Sequence, residues 1–307
     1  DYYTQKAKSQ HERTVKLESR RGRILDKKGK ILAVSIQLKS LYAKPSLINS
    51  PSEVARLLSP IIKTPYHKLL LNLKSKKNFI WLKRKLPPRQ TREISKLNLK
   101  GIGFIEEFRR FYPNGNFAGQ LLGYTGIDSQ GLEGVENKYE SLLVGKETAY
   151  IVEKEGMYRT VPLSNIPKKI PNQYSLHLTI DTTIQHFAEK ALRDGVIKTR
   201  ADRGSVIMLN SKTGAILAMA NYPSFNPNDR RGMNPNLLAN RSATDLFEPG
   251  STVKPLALAG LLQEDVIYKD TIVKTSPGYI EYEGFLTSDF KDYGTLNLSD
   301  VISKSSN

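Results

Sequence analysis

The sequence contains no cysteine. That excludes disulfides, thiolate metal sites and a cysteine nucleophile. Its four histidines, His11, His67, His177 and His186, show no metal-ligand spacing, so no metal centre is expected, and nothing points to a cofactor. No apolar run approaches the ~18 residues that a bilayer-spanning helix requires. No signal peptide opens the chain either. The first residues, Asp1-Tyr2-Tyr3-Thr4-Gln5-Lys6, are polar and read as the middle of a longer protein, with any membrane anchor upstream. Acidic residues are scarce in one part of the chain. Residues 1–110 hold 27 Lys and Arg against 8 Asp and Glu, a balance of +19, and the remainder holds 20 against 22, a balance of −2. The net charge of +17 therefore belongs to the N-terminal part. Such charge is most often a solvated face. An anionic membrane surface is a fitting partner. Nucleic acid is not expected, because neither zinc-finger spacing nor an RNA-binding signature accompanies the charge.

What is present suffices for two cores: 307 residues, 39% of them hydrophobic. A boundary falls where two prolines bracket a charged pair, Ile166-Pro167-Lys168-Lys169-Ile170-Pro171-Asn172, dividing the chain into modules 1–171 and 172–307. Residues 4–20 suit an extended arm or a helix. Two apolar segments around Asp26 and Gly29 predict a hairpin. Ser52 to Leu58 read as a helix capped by Ser52, Ile61 to Leu99 as a basic helical subdomain, Pro113-Asn114-Gly115 as a turn, and Thr148 to Val161 as a closing hairpin. In the second module Tyr174, Leu176, Leu178 and Ile180 alternate as a strand. Asp181 caps a helix with Ile184, Phe187, Ala188, Ala191 and Leu192 on its apolar face. Gly204 to Leu209 and Ala215 to Ala220 predict strands joined by the turn Ser211-Lys212-Thr213-Gly214. Helices packed on an antiparallel sheet, an α+β domain, is the fold expected.

One stretch carries chemistry: Phe247-Glu248-Pro249-Gly250-Ser251-Thr252-Val253-Lys254-Pro255-Leu256, followed by an apolar run to Leu262 that reads as a buried helix. Ser251 and Lys254, three apart, share a helix face. A serine hydroxyl is a weak nucleophile until a base takes its proton. A lysine against an apolar face is a candidate base, since burial disfavours the ammonium. A helix N-terminus favours the negative charge that develops at the serine. One other Ser-x-x-Lys is set aside: Ser288-Asp289-Phe290-Lys291 follows no Pro-Gly turn and reads as loop. Ser224-Phe225-Asn226, in a proline-rich loop, and Lys212-Thr213-Gly214, which forms a turn, are likewise given no catalytic role.

Across nearly its whole length the chain resembles the class B penicillin-binding proteins, most closely their division-specific transpeptidases. The segments that carry the resemblance run in family order: Arg21-Gly22-Arg23-Ile24-Leu25-Asp26, Ser129 to Glu136, Gly204 to Ile207, Lys212 to Ala220, Tyr222 to Pro227, Asn240-Arg241, Thr244 to Pro255, and Lys304-Ser305-Ser306-Asn307. The resemblance implies an N-terminal pedestal or dimerisation-type module over 1–171. Over 172–307 it implies the first part of a penicillin-binding, serine β-lactamase-like transpeptidase domain. It implies that Ser251 attacks the penultimate D-alanine of a peptidoglycan stem peptide, that Lys254 accepts the serine proton, that Ser305 relays a proton to the leaving group, and that Asn307 holds the substrate backbone. β-Lactams would acylate Ser251. The implied partners are stem peptides, β-lactams and membrane proteins of the division complex, including a glycosyltransferase. The implied location is the periplasmic side of the bacterial inner membrane, on a single-pass anchor. No Lys-Thr/Ser-Gly follows Asn307 within the sequence, so residues 1–307 alone are expected to be inactive and poorly folded beyond about residue 172. Two other readings remain open: a non-catalytic division-complex binding module, and a β-lactam sensor or β-lactamase.

Overall fold

The computed structural model describes residues 20–144, 174–229 and 234–307, and the backbone of two further strands, β1 (Glu12–Lys16) and a strand at Ala149–Glu153. The boundary expected at Ile166–Asn172 lies outside the described residues. The chain divides into two compact units, Asp1–Thr244 and Asp245–Asn307.

The first unit is built on a long strand. β2 (Ile24–Leu25) turns back into β3 (Ile31–Ala43). This is the hairpin that the sequence predicts. Asp26 accepts hydrogen bonds from the backbone N–H groups of Lys28 and Lys30, and Gly29 supplies a φ of +82°. Helices α1 (Pro51–Ile62) and α2 (Tyr66–Leu73) follow, then β4 (Ile80–Leu86), α3 (Pro88–Lys96) and β5 (Ile102–Phe111). β3 pairs antiparallel with both β4 and β5. Leu41, Ala43, Leu58, Ile62, Leu69, Leu73 and Leu86 pack the helices against one face of this sheet. Two expectations are corrected here. Ser50, not Ser52, stands at the N-cap position of α1, without a side-chain capping bond, because Pro51 takes the first helical position, where its missing N–H costs least. Ile61 to Leu99 is not wholly helical, because the apolar residues Ile80, Leu82 and Leu86 alternate with lysine and arginine as a strand.

Three short helices, α4 (Gly119–Leu122), α5 (Gly134–Lys138) and α6 (Glu140–Val144), close this part over a second core of Ile24, Leu32, Tyr112, Leu122 and Leu143. Beside that core lies a buried ion cluster. The Glu136 side chain, with no solvent exposure, accepts from Arg21 Nε at 2.5 Å and Arg110 Nε at 2.6 Å. Arg21 also reaches Glu140 Oε2 at 2.6 Å, and Arg110 Nη1 donates to the Gly22 carbonyl at 2.6 Å. Arg110 Nη2 is buried without a partner among the described residues. The strand at Ala149–Glu153, β6, pairs antiparallel with β1. Of the hairpin expected at Thr148 to Val161, only Ala149–Glu153 is described; the rest lies outside the described residues.

β7 is only Leu176–His177 and lies parallel to β2. α7 (Thr182–Thr199) starts where expected: Asp181 accepts from the N–H groups of Thr183 and Ile184. Its buried face differs from expectation. Phe187 is 63% exposed and Ala191 is exposed, whereas Gln185 is fully buried. Gln185 uses both ends of its amide on one residue, donating from Nε2 to the Met219 carbonyl and accepting the Met219 N–H. Met219 lies on β9 (Ile216–Tyr222), paired with β8 (Gly204–Leu209) through the expected turn, where Gly214 has a φ of +70°. Asp26 ties the β2–β3 turn to the start of α7 by accepting from the Thr182 hydroxyl. Lys27 and Lys28 both pair with Asp181, and these two ammonium groups hold its carboxyl well below the usual carboxylate range. The unit ends with α8 (Arg241–Thr244).

The second unit comprises a 3₁₀ turn at Gly250–Val253, α9 (Lys254–Gln263), strands β10 (Ile272–Lys274), β11 (Tyr279–Tyr282), β12 (Phe285–Ser288) and β13 (Thr295–Asn297), and α10 (Leu298–Ser303). β10 pairs with β13, and β11 with β12. The expectation of a buried helix after Ser251 is not met. No residue of α9 is buried, and Leu256 is 72% exposed. The unit offers two small two-stranded ribbons and one short helix, too little to cover an apolar face on every side. Mixed helices and strands throughout make the architecture α+β.

Candidate active site

Gly250 has a φ of +54°, a conformation that glycine adopts without strain, and it delivers Ser251 onto the 3₁₀ turn ahead of α9. Lys254 opens α9, and Pro255 sits in its first turn. At the other end of the unit, Asn297 caps α10 by accepting the Asp300 N–H, and the chain after Ser303 curls back. Ser305 there has a φ of +54°, sparsely populated for a residue with a side chain.

These two segments bring all four expected residues together. The hydroxyls of Ser305 and Ser251 are joined at 2.6 Å. Lys254 Nζ lies 3.2 Å from Ser305 Oγ, 2.6 Å from the Ser305 carbonyl, 2.9 Å from the Ser306 carbonyl and 2.6 Å from Asn307 Oδ1. An ammonium has three protons, so these four acceptors share them. Lys254 is half-buried, and what surrounds its Nζ is oxygen, not the apolar face that the sequence suggested. Ser251 is thus linked to Lys254 through the Ser305 hydroxyl.

The sequence did not single out Asp289. Its Oδ2 accepts from Ser306 Oγ at 2.6 Å, and its Oδ1 accepts the Asn307 N–H. The neighbouring Ser288 carbonyl accepts from Asn307 Nδ2 at 2.7 Å. The Ser306 hydrogen bond, the Asn307 N–H and the Lys254 charge together outweigh burial and lower the Asp289 carboxyl. The signal was on view in Ser288-Asp289-Phe290-Lys291. That segment is not a second nucleophile motif: Ser288 ends β12 and the rest is loop, as expected. Its aspartate and its serine carbonyl instead hold the turn that carries Ser305 and Asn307. The other two decoys also stand apart. Lys212 lies in the β8–β9 turn, and Ser224 Oγ donates to the Asn116 carbonyl.

A polar cavity of about 430 Å³ lies in the first unit, between the β2–β3 turn and α7, lined by Lys30, Asn116, Thr183, His186 and Glu189 among others. Burial pushes the Glu189 carboxyl up, although Gln185 and the Ala118 N–H donate to it. Among the described residues no cluster of His, Asp and Glu has the form of a metal site, and no helix is long and apolar enough to cross a membrane.

Residues 16–172 match the family described as the penicillin-binding protein dimerisation domain, and residues 204–307 match the penicillin binding protein transpeptidase domain. The chain is 35% identical over 303 residues to the peptidoglycan D,D-transpeptidase FtsI of Escherichia coli (strain K12), covering 96% of this chain and 51% of the relative. FtsI of Buchnera aphidicola subsp. Schizaphis graminum is 35% identical over 305 residues, covering 96% and 53%. The probable peptidoglycan D,D-transpeptidase PenA of Neisseria gonorrhoeae is 34% identical over 300 residues, covering 96% and 51%. The chain thus spans about half the length of these relatives. Among solved structures, a peptidoglycan synthetase from Bifidobacterium adolescentis is similar with a TM-score of 0.65 at 28% identity, over 96% of this chain and 59% of that one. A complex between penicillin-binding protein PBP2 and MreC from Helicobacter pylori shares the fold, with a TM-score of 0.73 at 22% identity, over 94% of this chain and 60% of that one.

Proposed function

Because the chain belongs to the class B penicillin-binding proteins, with a dimerisation domain followed by transpeptidase-domain residues, we propose that it is part of a peptidoglycan D,D-transpeptidase whose nucleophile is Ser251. The observation that carries this is the chain of contacts Ser251–Ser305–Lys254, at 2.6 and 3.2 Å. A hydroxyl activated by a neighbouring base is the requirement for acyl transfer. In the reaction, Ser251 Oγ bonds to the carbonyl carbon of the penultimate D-alanine. Its proton passes by way of the Ser305 hydroxyl to Lys254, when that amine is neutral. The bond to the terminal D-alanine nitrogen then breaks, and that nitrogen takes the proton back along the same path. An amine from a second stem peptide attacks the acyl-enzyme, forms the cross-link and frees Ser251. Asn307, fixed by the Ser288 carbonyl and Asp289, holds the substrate backbone through its amide. A β-lactam carbonyl enters the same attack and leaves Ser251 acylated.

Septal use, with division-complex membrane proteins and a glycosyltransferase as partners, and a periplasmic position on a single-pass membrane anchor belong to the same proposal. The 35% identity to FtsI supports them. Residues 1–307 alone are expected to react poorly. The exposed α9 leaves the site open to water. Intact-mass measurement after incubation with benzylpenicillin tests the proposal, on this chain and on one extended through the remaining length of its relatives. Adduct on the extended chain, absent from Ser251→Ala and slowed roughly 10²–10⁴-fold in Ser305→Ala, is the expected result. Adduct surviving Ser251→Ala would overturn the assignment. No adduct on either chain would favour a non-catalytic binding module.

A further inference from the structure

One face of the β4–β3–β5 sheet packs on helices α1 to α3, and the other carries a row of aromatic rings. Tyr42 on β3 lies opposite Trp81 on β4 and Gly103 on β5. Gly103 matters here: a Cβ at that position would fall 2.5 Å from Tyr42 ring atoms, so the ring rests on the bare backbone. Phe79 stacks on Tyr42 with centroids 5.0 Å apart and planes at 23°, and Trp81 stands edge-on to Phe79 at 5.0 Å. The Arg84 guanidinium sits 5.6 Å over the Trp81 ring. Phe79 is 40% exposed, Trp81 37% and Ile105, on the same side of β5, 40%. Trp81 is the only tryptophan in the chain. Exposed lysines 76, 77 and 83 lie within four residues of Phe79 along the chain.

We propose that this aromatic face docks on an anionic phospholipid surface. Three observations favour lipid over a protein partner. Aromatic rings with a polar edge beside lysines are the composition of a membrane–water interface. The positive charge is spread over the whole of residues 1–110, at +19, which suits a diffuse anionic plane rather than one acidic segment. The rings line neither of the two cavities described in the first unit. A second copy of the chain is disfavoured as occupant by the same charge, which repels its own kind.

Trp81 reports on this contact directly. The 307-residue chain is mixed with vesicles containing phosphatidylglycerol or with vesicles of phosphatidylcholine alone, and both Trp81 emission and co-sedimentation are followed. The expected result is a blue shift and sedimentation on the anionic vesicles only, weakening with added salt. Each charge removed from Lys77 or Lys83 is expected to weaken partitioning about fivefold, and Lys77→Glu with Lys83→Glu more. Phe79→Ser is expected to weaken it with the salt dependence unchanged. Equal binding to neutral vesicles would overturn the proposal. So would sedimentation with no change in Trp81 emission, which would place the contact elsewhere. An emission shift that grows with protein concentration without lipid, or that appears only with an acidic polypeptide such as polyglutamate, would overturn it in favour of self-association or an acidic protein.

Discussion

The two units hold their functional geometry by opposite means. In the first, Glu136 is sealed between two arginines beside continuous apolar cores. In the second, Leu296 is the one large hydrophobic side chain that is fully buried, while Ser251, Lys254, Asp289 and Asn307 are held by hydrogen bonds in partly open surroundings. Burial makes each bond hard to lose, because a stranded partner cannot turn to water. Openness makes each bond cheap to lose in stability but not in chemistry, where a displacement of about 1 Å can cost 10²-fold in rate. On the proposed function, the same kind of side-chain contact answers to stability in one unit and to reactivity in the other.

The largest effect that would test this contrast is Glu136→Ala. It leaves Arg21 and Arg110 buried without their shared anion, and a loss of about 3–5 kcal/mol is expected, read from the urea midpoint followed by Trp81 fluorescence. A loss below about 1 kcal/mol would show that water reaches the cluster, and the contrast would break. Next comes Asp289→Asn, which takes an acceptor from Ser306 or Asn307. The Trp81-monitored midpoint should hold. Benzylpenicillin acylation of the extended chain should slow roughly tenfold, the low end for a charge-assisted bond because the site is open. The folded Asp289 carboxyl lies below its usual value of 3.8, so its contribution is present above that value and fails as pH falls through the lower one. Acylation should therefore be insensitive to this group at neutral pH. The smallest effect is that of Glu189→Gln. Burial raises the Glu189 carboxyl above 4.5, so its favourable contribution is complete below that value and is lost as pH rises through the raised one. Glutamine keeps an oxygen for the Ala118 N–H. The variant should gain stability on the parent as pH rises from 4.5 through the raised value. A constant difference would show that the group is solvated in the native state.

Local signals read well from sequence where one residue type has one job. Asp26 and Gly29 marked a turn, Asp181 marked a cap, and Gly214 marked a hairpin. Reading failed where basic residues broke an apolar pattern, as in β4, and where burial depends on what lies across the chain, as for Phe187 and α9. Short motifs single out Ser251, Lys254, Ser305 and Asn307, and the fold sets them side by side. Asp289 was not legible, because it acts from a loop 38 residues beyond Ser251 and only the fold brings it to Ser306. The Arg21–Glu136 pair spans 115 positions, and nothing in either segment names the other.

The Gln185 amide has a consequence for the neighbours of β9. That strand is bonded to β8 along one side, and on the other Gln185 occupies both the N–H and the carbonyl of Met219, while the Asp181 N–H takes the Leu217 carbonyl. Bare strand edges invite pairing with strands of other molecules. Here a helix side chain imitates one residue of a missing strand, so this edge of β9 is blocked to a further strand at its centre, whereas the outer edge of β8 has, among the described residues, no such cover from a paired strand.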